Sequence, residues 1–230
     1  MSSITSLPKT VACSVVENAN IIVGTPSGLD KLSKLIINIS KLFQKRFPKV
    51  TNLSRQMSSM RSGIQAFYFV GGIKYFSNVK TDGSLFNKKT AEGTKQGLIN
   101  IAQRAFFLVA DCLASVCWLN AAEVIALGAV SFTLGAIGLK CVIAGLAIGS
   151  ILAVRDLVKT CTNNENRTHL TRKIIDHSIN IFKNCFDCIG LVIAGYVSMP
   201  YVAILGIISG GIGITSILSK SKLDAAITTA

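Results

Sequence analysis

Two long apolar runs dominate the hydrophobic pattern of this chain. Val124–Val154 carries one charge, Lys140, and Cys188–Ser219 carries none but is interrupted by Met199-Pro200. A single membrane-spanning helix needs about 20 apolar residues, so each run is long for one upright pass. Because the interruptions fall near the middles, the pattern predicts two tight helical hairpins in a membrane. One tilted span with an apolar extension, or a buried helix of a soluble bundle, is the alternative for each run.

An amphipathic pattern precedes these runs. From Ser27, which with Asp30 forms a capping-box-like start, apolar residues recur every three or four positions as far as Pro48, while lysines take the other faces. Such a helix either packs on a neighbouring helix of the same protein or lies in the membrane interface with its lysines at lipid headgroups. The residues assigned to the membrane-interface helix are Lys31, Lys34, Leu35, Ile39, Lys41, Phe43 and Lys45.

Further helices and a loop fill the region between the amphipathic helix and the first apolar run. A helical stripe covers Leu53–Phe76, and Asn78–Gly93 contains Asp-Gly and several lysines without an apolar period, which predicts a loop. Leu98–Ala122 is apolar except for Arg104 and Asp111, which lie two turns apart and therefore share a face. That segment predicts an amphipathic helix with one polar stripe; a buried pair is the alternative.

These segments predict an all-α integral membrane protein with N-terminal amphipathic helices and two apolar helical hairpins. The predicted division is a flexible Ser/Thr-rich leader (1–26), a basic amphipathic helical region (27–96), an apolar helix plus the first membrane hairpin (97–154), a basic linker or helix (155–187), the second membrane hairpin (188–219) and a tail (220–230).

Composition and charge agree with a membrane protein. Half of the 230 residues are hydrophobic and 15% are charged, against about a quarter charged in soluble domains. The net charge of +13 arises largely between Lys31 and Arg104, which favours an anionic lipid bilayer as partner. Nucleic acid is not predicted, because it would not explain the hydrophobic half. The linker is also basic, so the positive-inside rule predicts the N-terminal half, linker and C-terminus on one cytosolic side.

The chain offers little sign of catalytic or metal chemistry. Its seven cysteines are odd in number and irregularly spaced, which argues against a secreted disulfide framework. The CxxC spacing of Cys185 and Cys188 lacks a second pair of ligands. Gly206 and Gly210 form a GxxxG in an apolar run, and their small size predicts close helix packing. We therefore predict no enzyme activity, no metal, no cofactor and no cleavable signal peptide.

The run VIALGAVSFTLGAIGLKCVIAGLAIGSILAV, Val124–Val154, resembles the bilobed hydrophobic domain of the inclusion membrane proteins of chlamydiae. The Ser/Thr-rich leader, GLDKLSKLIINI and the Gly/Ala/Ile-rich C-terminal run are also compatible with that family. The resemblance implies type III secretion, insertion into a pathogen vacuole membrane, and display of basic helices to host cytosolic proteins. A homo-oligomer is one option that the sequence leaves open.

A second resemblance is to the peroxisomal membrane-elongation family, peroxin eleven. The order LDKLSKLIINISKLF, then GLINIAQRAFFLVADCLASVCWL, then LTRKIIDHSINIFKNCFDCIGL followed by VAILGIISGGIGITSIL is similar to that family. It implies that the helix at Leu29–Phe47 remodels the bilayer. The middle apolar run is longer and richer in Gly and Ala than that family usually shows, so the paired apolar segments favour the chlamydial resemblance.

Overall fold

The computed structural model describes residues 17–228 except residues 92, 163–166 and 195. A short helical stretch at residues 17–23 precedes the first long helix. In the described residues the strands are confined to one short antiparallel hairpin, which pairs β1 (Lys88–Thr90) with β2 (Gly93–Lys95). All the other regular elements there are helices, so the predicted all-α class is confirmed. The long helices are α1 (Pro26–Phe43), α2 (Pro48–Ala66), α3 (Tyr68–Asn78), α4 (Leu98–Ala121), α5 (Val130–Thr162), α6 (Arg167–Ile193) and α7 (Met199–Thr228).

Six of these helices pack as a closed ring. Helix α1 packs against both α2 and α7, α2 packs against α4, and the chain then continues through α4, α5, α6 and α7 as successive neighbours. The short helix α3 lies against α4 and the end of α2. The helices at the two ends of the sequence are therefore neighbours in space.

Local sequence signals set the start of α1, though not at the predicted residue. The N-cap is Thr25, whose Oγ1 accepts a hydrogen bond from the Gly28 backbone N–H at 3.0 Å. Pro26 occupies the first turn, where its fixed φ suits a helix and its missing N–H costs nothing. Ser27 is already helical, so the capping-box start predicted there is wrong.

The first apolar run does not turn near its middle, so the hairpin predicted within Val124–Val154 is wrong. Val130–Thr162 is one continuous helix, as in the single-helix alternative. The chain turns earlier, at residues 122–129, where Glu123 and Gly128 adopt positive φ. No proline interrupts residues 130–154, and the glycines of α5 face neighbouring helices rather than breaking the helix. The hairpin that does form joins α4 to α5.

The second apolar run does turn near the predicted interruption. Residues 194–198 separate α6 from α7, and Pro200 lies in the first turn of α7. However, α6 begins at Arg167 and continues through the boundary predicted at residue 188, so one arm of this hairpin is far longer and more polar than expected. The predicted stripe at Leu53–Phe76 is likewise two helices, divided at Phe67.

Much of the surface of the bundle is apolar, and its buried residues are a mixture of apolar and polar side chains. Large apolar side chains are widely exposed, Phe132 to 84% and Ile151 to 63%, whereas the largest fully buried side chains among the described residues are Ser33 and Ser209. Water-soluble domains bury most of their large apolar residues instead. Among the described residues, three helices are long and apolar enough to cross a membrane, namely Leu98–Ala121, Val130–Thr162 and Met199–Ser219.

Candidate functional site

The polar face of α1 lies inside the bundle. Asp30, Ser33 and Asn38 are buried, whereas the apolar side chains of Ile39 and Phe43 are 41% and 49% exposed. The sequence pattern is therefore amphipathic as predicted, but the helix packs on its neighbours through its polar side. This orientation places charged groups of α1 against α2, α6 and α7.

Lys34 is the centre of one half of this interior network. Its Nζ donates a hydrogen bond to Asp187 Oδ1 on α6 and another to Ser209 Oγ on α7, the latter at 2.9 Å. Ser209 Oγ also donates to Asp187 Oδ1. The side chains of Lys34 and Asp187 are only 14% and 15% exposed. Three helices therefore meet at one ammonium–carboxylate–hydroxyl cluster.

Asp30 is the centre of the other half. Its Oδ1 accepts hydrogen bonds from Arg61 Nε at 2.8 Å and Gln65 Nε2 at 3.0 Å, both on α2. Its Oδ2 accepts one from Lys31 Nζ at 3.0 Å. Asp30 is only 2% exposed, so these side-chain donors take the place of the water that would otherwise solvate its carboxylate. The contact holds the end of α2 against the start of α1.

Positive charge exceeds negative charge in the network. Asp30 lies against both Arg61 and Lys31, and Asp187 lies against Lys34, so each interior carboxylate has at least one cation beside it.

Lys183 joins the network one turn before Asp187 on α6. Its Nζ lies 3.9 Å from Asp187 Oδ2. Four cations thus surround two carboxylates in this cluster, namely Lys31, Lys34, Arg61 and Lys183 around Asp30 and Asp187.

Glycines of α7 make the close approach of α1 possible. A Cβ at Gly206 would collide with the side chain of Asn38, and a Cβ at Gly210 would touch Leu35. A Cβ at Gly213 would lie 3.0 Å from the Lys31 side chain. The two predicted packing glycines therefore lie on the face of α7 that receives α1.

The network lies at the middle of a candidate membrane span. Ser209 is the central residue of Met199–Ser219, so Lys34 and Asp187 are at mid-depth if that segment crosses a membrane. Ionisable side chains at such a depth are costly, and they are usually paired and functional.

The structure separates the residues predicted for the membrane-interface helix. Lys31 and Lys34 point into the network, and Leu35 lies against Gly210. Ile39, Phe43 and Lys45 are exposed, and Lys41 is half-buried.

The buried Arg104–Asp111 pair that was the alternative for α4 does not form, because Arg104 is exposed. The Arg104 guanidinium lies over the Tyr75 ring, 5.5 Å from its centroid, on the side of α3. Asp111 is half-buried two turns further along the helix.

Sequence reasoning missed Asp30, Arg61, Asp187 and Ser209 as partners. Asp30 was considered only as part of a cap, and Asp187 only as the end of a linker. One signal was available for Asp187, because it interrupts an otherwise apolar stretch between Phe186 and Ser198.

The chemistry of this arrangement is charge neutralisation rather than metal binding. In the described part of the chain, no group of three or more His, Cys, Asp or Glu side chains is arranged to hold a metal ion. Comparison with protein families, curated proteins and solved structures finds no match for this chain. Both resemblances noted from the sequence therefore stay predictions.

Proposed function

We propose that this chain is a non-enzymatic integral membrane protein that displays basic, water-facing segments to partner proteins from a membrane-embedded helical bundle. The observation that carries the proposal is the apolar outer surface of a bundle that pairs charges in its interior. Apolar residues cover the outside of the bundle, and the charges of α1, α2 and α6 are paired within it. Such a surface suits a lipid environment, because hydrocarbon neither solvates charges nor disfavours exposed apolar groups.

The three candidate spans support the membrane part of this proposal. If α5 and α7 both cross the membrane in the same direction, α6 must cross it in between, because α6 is the segment that joins them. At 27 residues, α6 is about 40 Å long, which exceeds the hydrocarbon thickness of about 30 Å. Its polar residues Lys183 and Asp187 face the network rather than the outside.

The displayed segments are basic and lie outside the candidate spans. Lys80 is exposed in the loop before the β hairpin, and Lys88 and Lys89 are exposed on the hairpin itself. In the form that the chlamydial resemblance favours, the membrane is that of a pathogen vacuole, and the partners are host cytosolic proteins.

Vectorial labelling tests the membrane arrangement. In a variant with Cys161 as the sole cysteine, a membrane-impermeant maleimide added to the cytosolic side should label the protein, because Cys161 is exposed near the basic end of α5. In a cysteine-free chain carrying Ser198→Cys, labelling should occur only from the other side, since α6 separates the two positions. Labelling of both from one side, or release of the protein by alkaline extraction, would refute an embedded bundle.

Antibody staining of the native protein tests the specific location. A ring at the membrane of a bacterium-containing vacuole is the expected result. Staining that coincides with peroxisomes would refute the inclusion-membrane form and leave the membrane-embedded bundle standing.

One observation favours membrane remodelling as a second candidate function. Ile39 and Phe43 project from the outer side of α1, where they can insert into lipid. Under this alternative, Ile39→Glu with Phe43→Glu should abolish curvature-dependent tubulation of liposomes. A matched control is Val158→Glu with Ile175→Glu, which alters equally exposed residues of α5 and α6. Equal effects of the two double variants would exclude a specific role for α1.

A further inference from the structure

A second polar feature lies away from the interior network, at the end of the α4–α5 hairpin. A cavity of about 530 Å³ opens between the β hairpin, the start of α4 and the last turns of α5. Its lining includes four cations and one carboxylate, Asp156. The cations are Lys88, Lys89, Arg155 and Lys159. A concave site with this charge excess attracts an anion.

The cavity is held in shape by contacts of its own walls. Asn87 Oδ1 accepts hydrogen bonds from the Gly97 backbone N–H at 2.8 Å and from Asn100 Nδ2 at 2.6 Å, which fixes the hairpin to the start of α4. Gly97 allows this approach, because a Cβ there would collide with the backbone of Phe86. The Arg155 guanidinium carbon lies 3.7 Å from the centroid of the Phe86 ring, so this cation is positioned rather than free to move.

The cations are only partly neutralised within the protein. Arg155 Nη1 is 3.5 Å from Asp156 Oδ1, and Lys88 Nζ is 3.9 Å from Asp82 Oδ2, both at partly exposed positions. Lys88 also faces Lys95 directly across the β hairpin. Like charges opposite one another destabilise a strand pair, and a bound anion would relieve that repulsion.

The position of the cavity relative to the apolar surface indicates the source of the anion. Leu98 begins one candidate span, and Arg155 follows the apolar part of another. Both lie where lipid phosphates would be found. Exposed Ile151 and Val154 bring the apolar surface of α5 up to the level of the cavity, and acyl chains would lie against them.

We propose that this cavity binds the phosphate group of an anionic phospholipid headgroup. The site rests on the proposed function, since it requires the α4–α5 hairpin to be in a bilayer. Lys89 and Lys159 supply mobile ammonium groups, Arg155 supplies a fixed guanidinium, and the amide of Asn100 lies in the same wall. Guanidinium and ammonium donors together suit phosphate oxygens.

The test uses the full-length protein in nanodiscs of phosphatidylcholine with increasing phosphatidylglycerol, and it measures enrichment of labelled phosphatidylglycerol at the protein. The pocket variant Lys89→Gln with Lys159→Gln removes two charges while leaving the Arg155–Phe86 contact intact. The control Lys45→Gln with Lys49→Gln removes two exposed charges elsewhere. At about 1 kcal/mol per cation near an anionic surface, the loss of two cations should weaken enrichment about thirtyfold in the pocket variant. The control should lose less than about twofold, because its lysines lie outside the cavity.

Two outcomes overturn the proposal. Equal losses in both double variants would mean general surface attraction and no site. In the second outcome, the native chain shows no phospholipid enrichment but binds inorganic phosphate at millimolar concentration, and the pocket variant loses this binding. That result would assign the cavity to a soluble phosphate instead. Alkaline extraction of the same variants separates this question from the proposed function, because an embedded chain without lipid enrichment refutes only the headgroup site.

Discussion

The α4–α5 pair and the α1–α7 pair use glycine in the same way and fill the resulting space differently. In the first pair, Gly145 of α5 receives the Phe107 ring of α4. In the second, Gly206 of α7 receives the Asn38 amide of α1. Close approach is therefore set by the absence of a side chain on one helix, whereas the partner residue decides whether the contact is apolar or polar.

The two pairs consequently respond to substitution by different mechanisms. An apolar contact loses packing in proportion to the atoms removed or displaced. A buried ionic contact loses much more when one partner is removed, because the remaining charge has no solvent.

The largest expected effect is truncation of the interior carboxylate. Asp187→Ala leaves the Lys34 ammonium buried with only Ser209 as partner, and should lower the free energy of unfolding in detergent by about 3–5 kcal/mol. Circular dichroism during a denaturant titration measures this change. Asp156→Ala is the control, since its pair with Arg155 is partly exposed and should contribute less than about 1 kcal/mol. Similar losses for both variants would show that the interior pair has no special role.

Adding one methyl group at each glycine compares the two pairs directly. Gly145→Ala forces back the Phe107 ring, 2.9 Å from the new Cβ, at a cost of about 1–3 kcal/mol. Gly206→Ala should cost more, because it displaces Asn38 and with it the hydrogen bond from Asn38 Nδ2 to the Lys34 carbonyl.

Gly211→Ala is the control for both glycine variants. A Cβ there meets nothing within 4 Å, so the substitution should be neutral or slightly stabilising. Thermal unfolding of the three variants in one detergent gives the ranking. If Gly145→Ala lowered the stability more than Gly206→Ala, the apolar contact would be the more sensitive of the two, and the comparison would be reversed.

The smallest expected effect concerns the start of α1. Thr25→Ala removes the side-chain cap to Gly28 and should destabilise the chain by about 1 kcal/mol. Ser27→Ala, at the position that the sequence pattern indicated, should change stability by less than about 0.5 kcal/mol because Ser27 is exposed and inside the helix. The reverse ranking in denaturant titrations would restore Ser27 as the cap.

The helical class and the break before Pro200 could be predicted because each follows from local sequence. Proline and apolar periodicity act over a few residues. The continuity of α5 could not be predicted, because its glycines are tolerated only through contacts with Phe107 and Gln103 on another helix. Periodicity identified α1 as amphipathic but could not say which face is buried. That choice depends on Asp187 and Ser209, more than 150 residues away.

The closed ring of helices has a consequence for how the chain is made. Lys34 and Ser209 are 175 residues apart in sequence, so at about 5–20 residues per second the ribosome needs roughly ten seconds or more to supply the second after the first. During that interval the charged face of α1 has neither Asp187 nor Ser209 to meet. The Lys34 side of α1 can therefore reach its folded contacts only after most of α6 and the first half of α7 have been made.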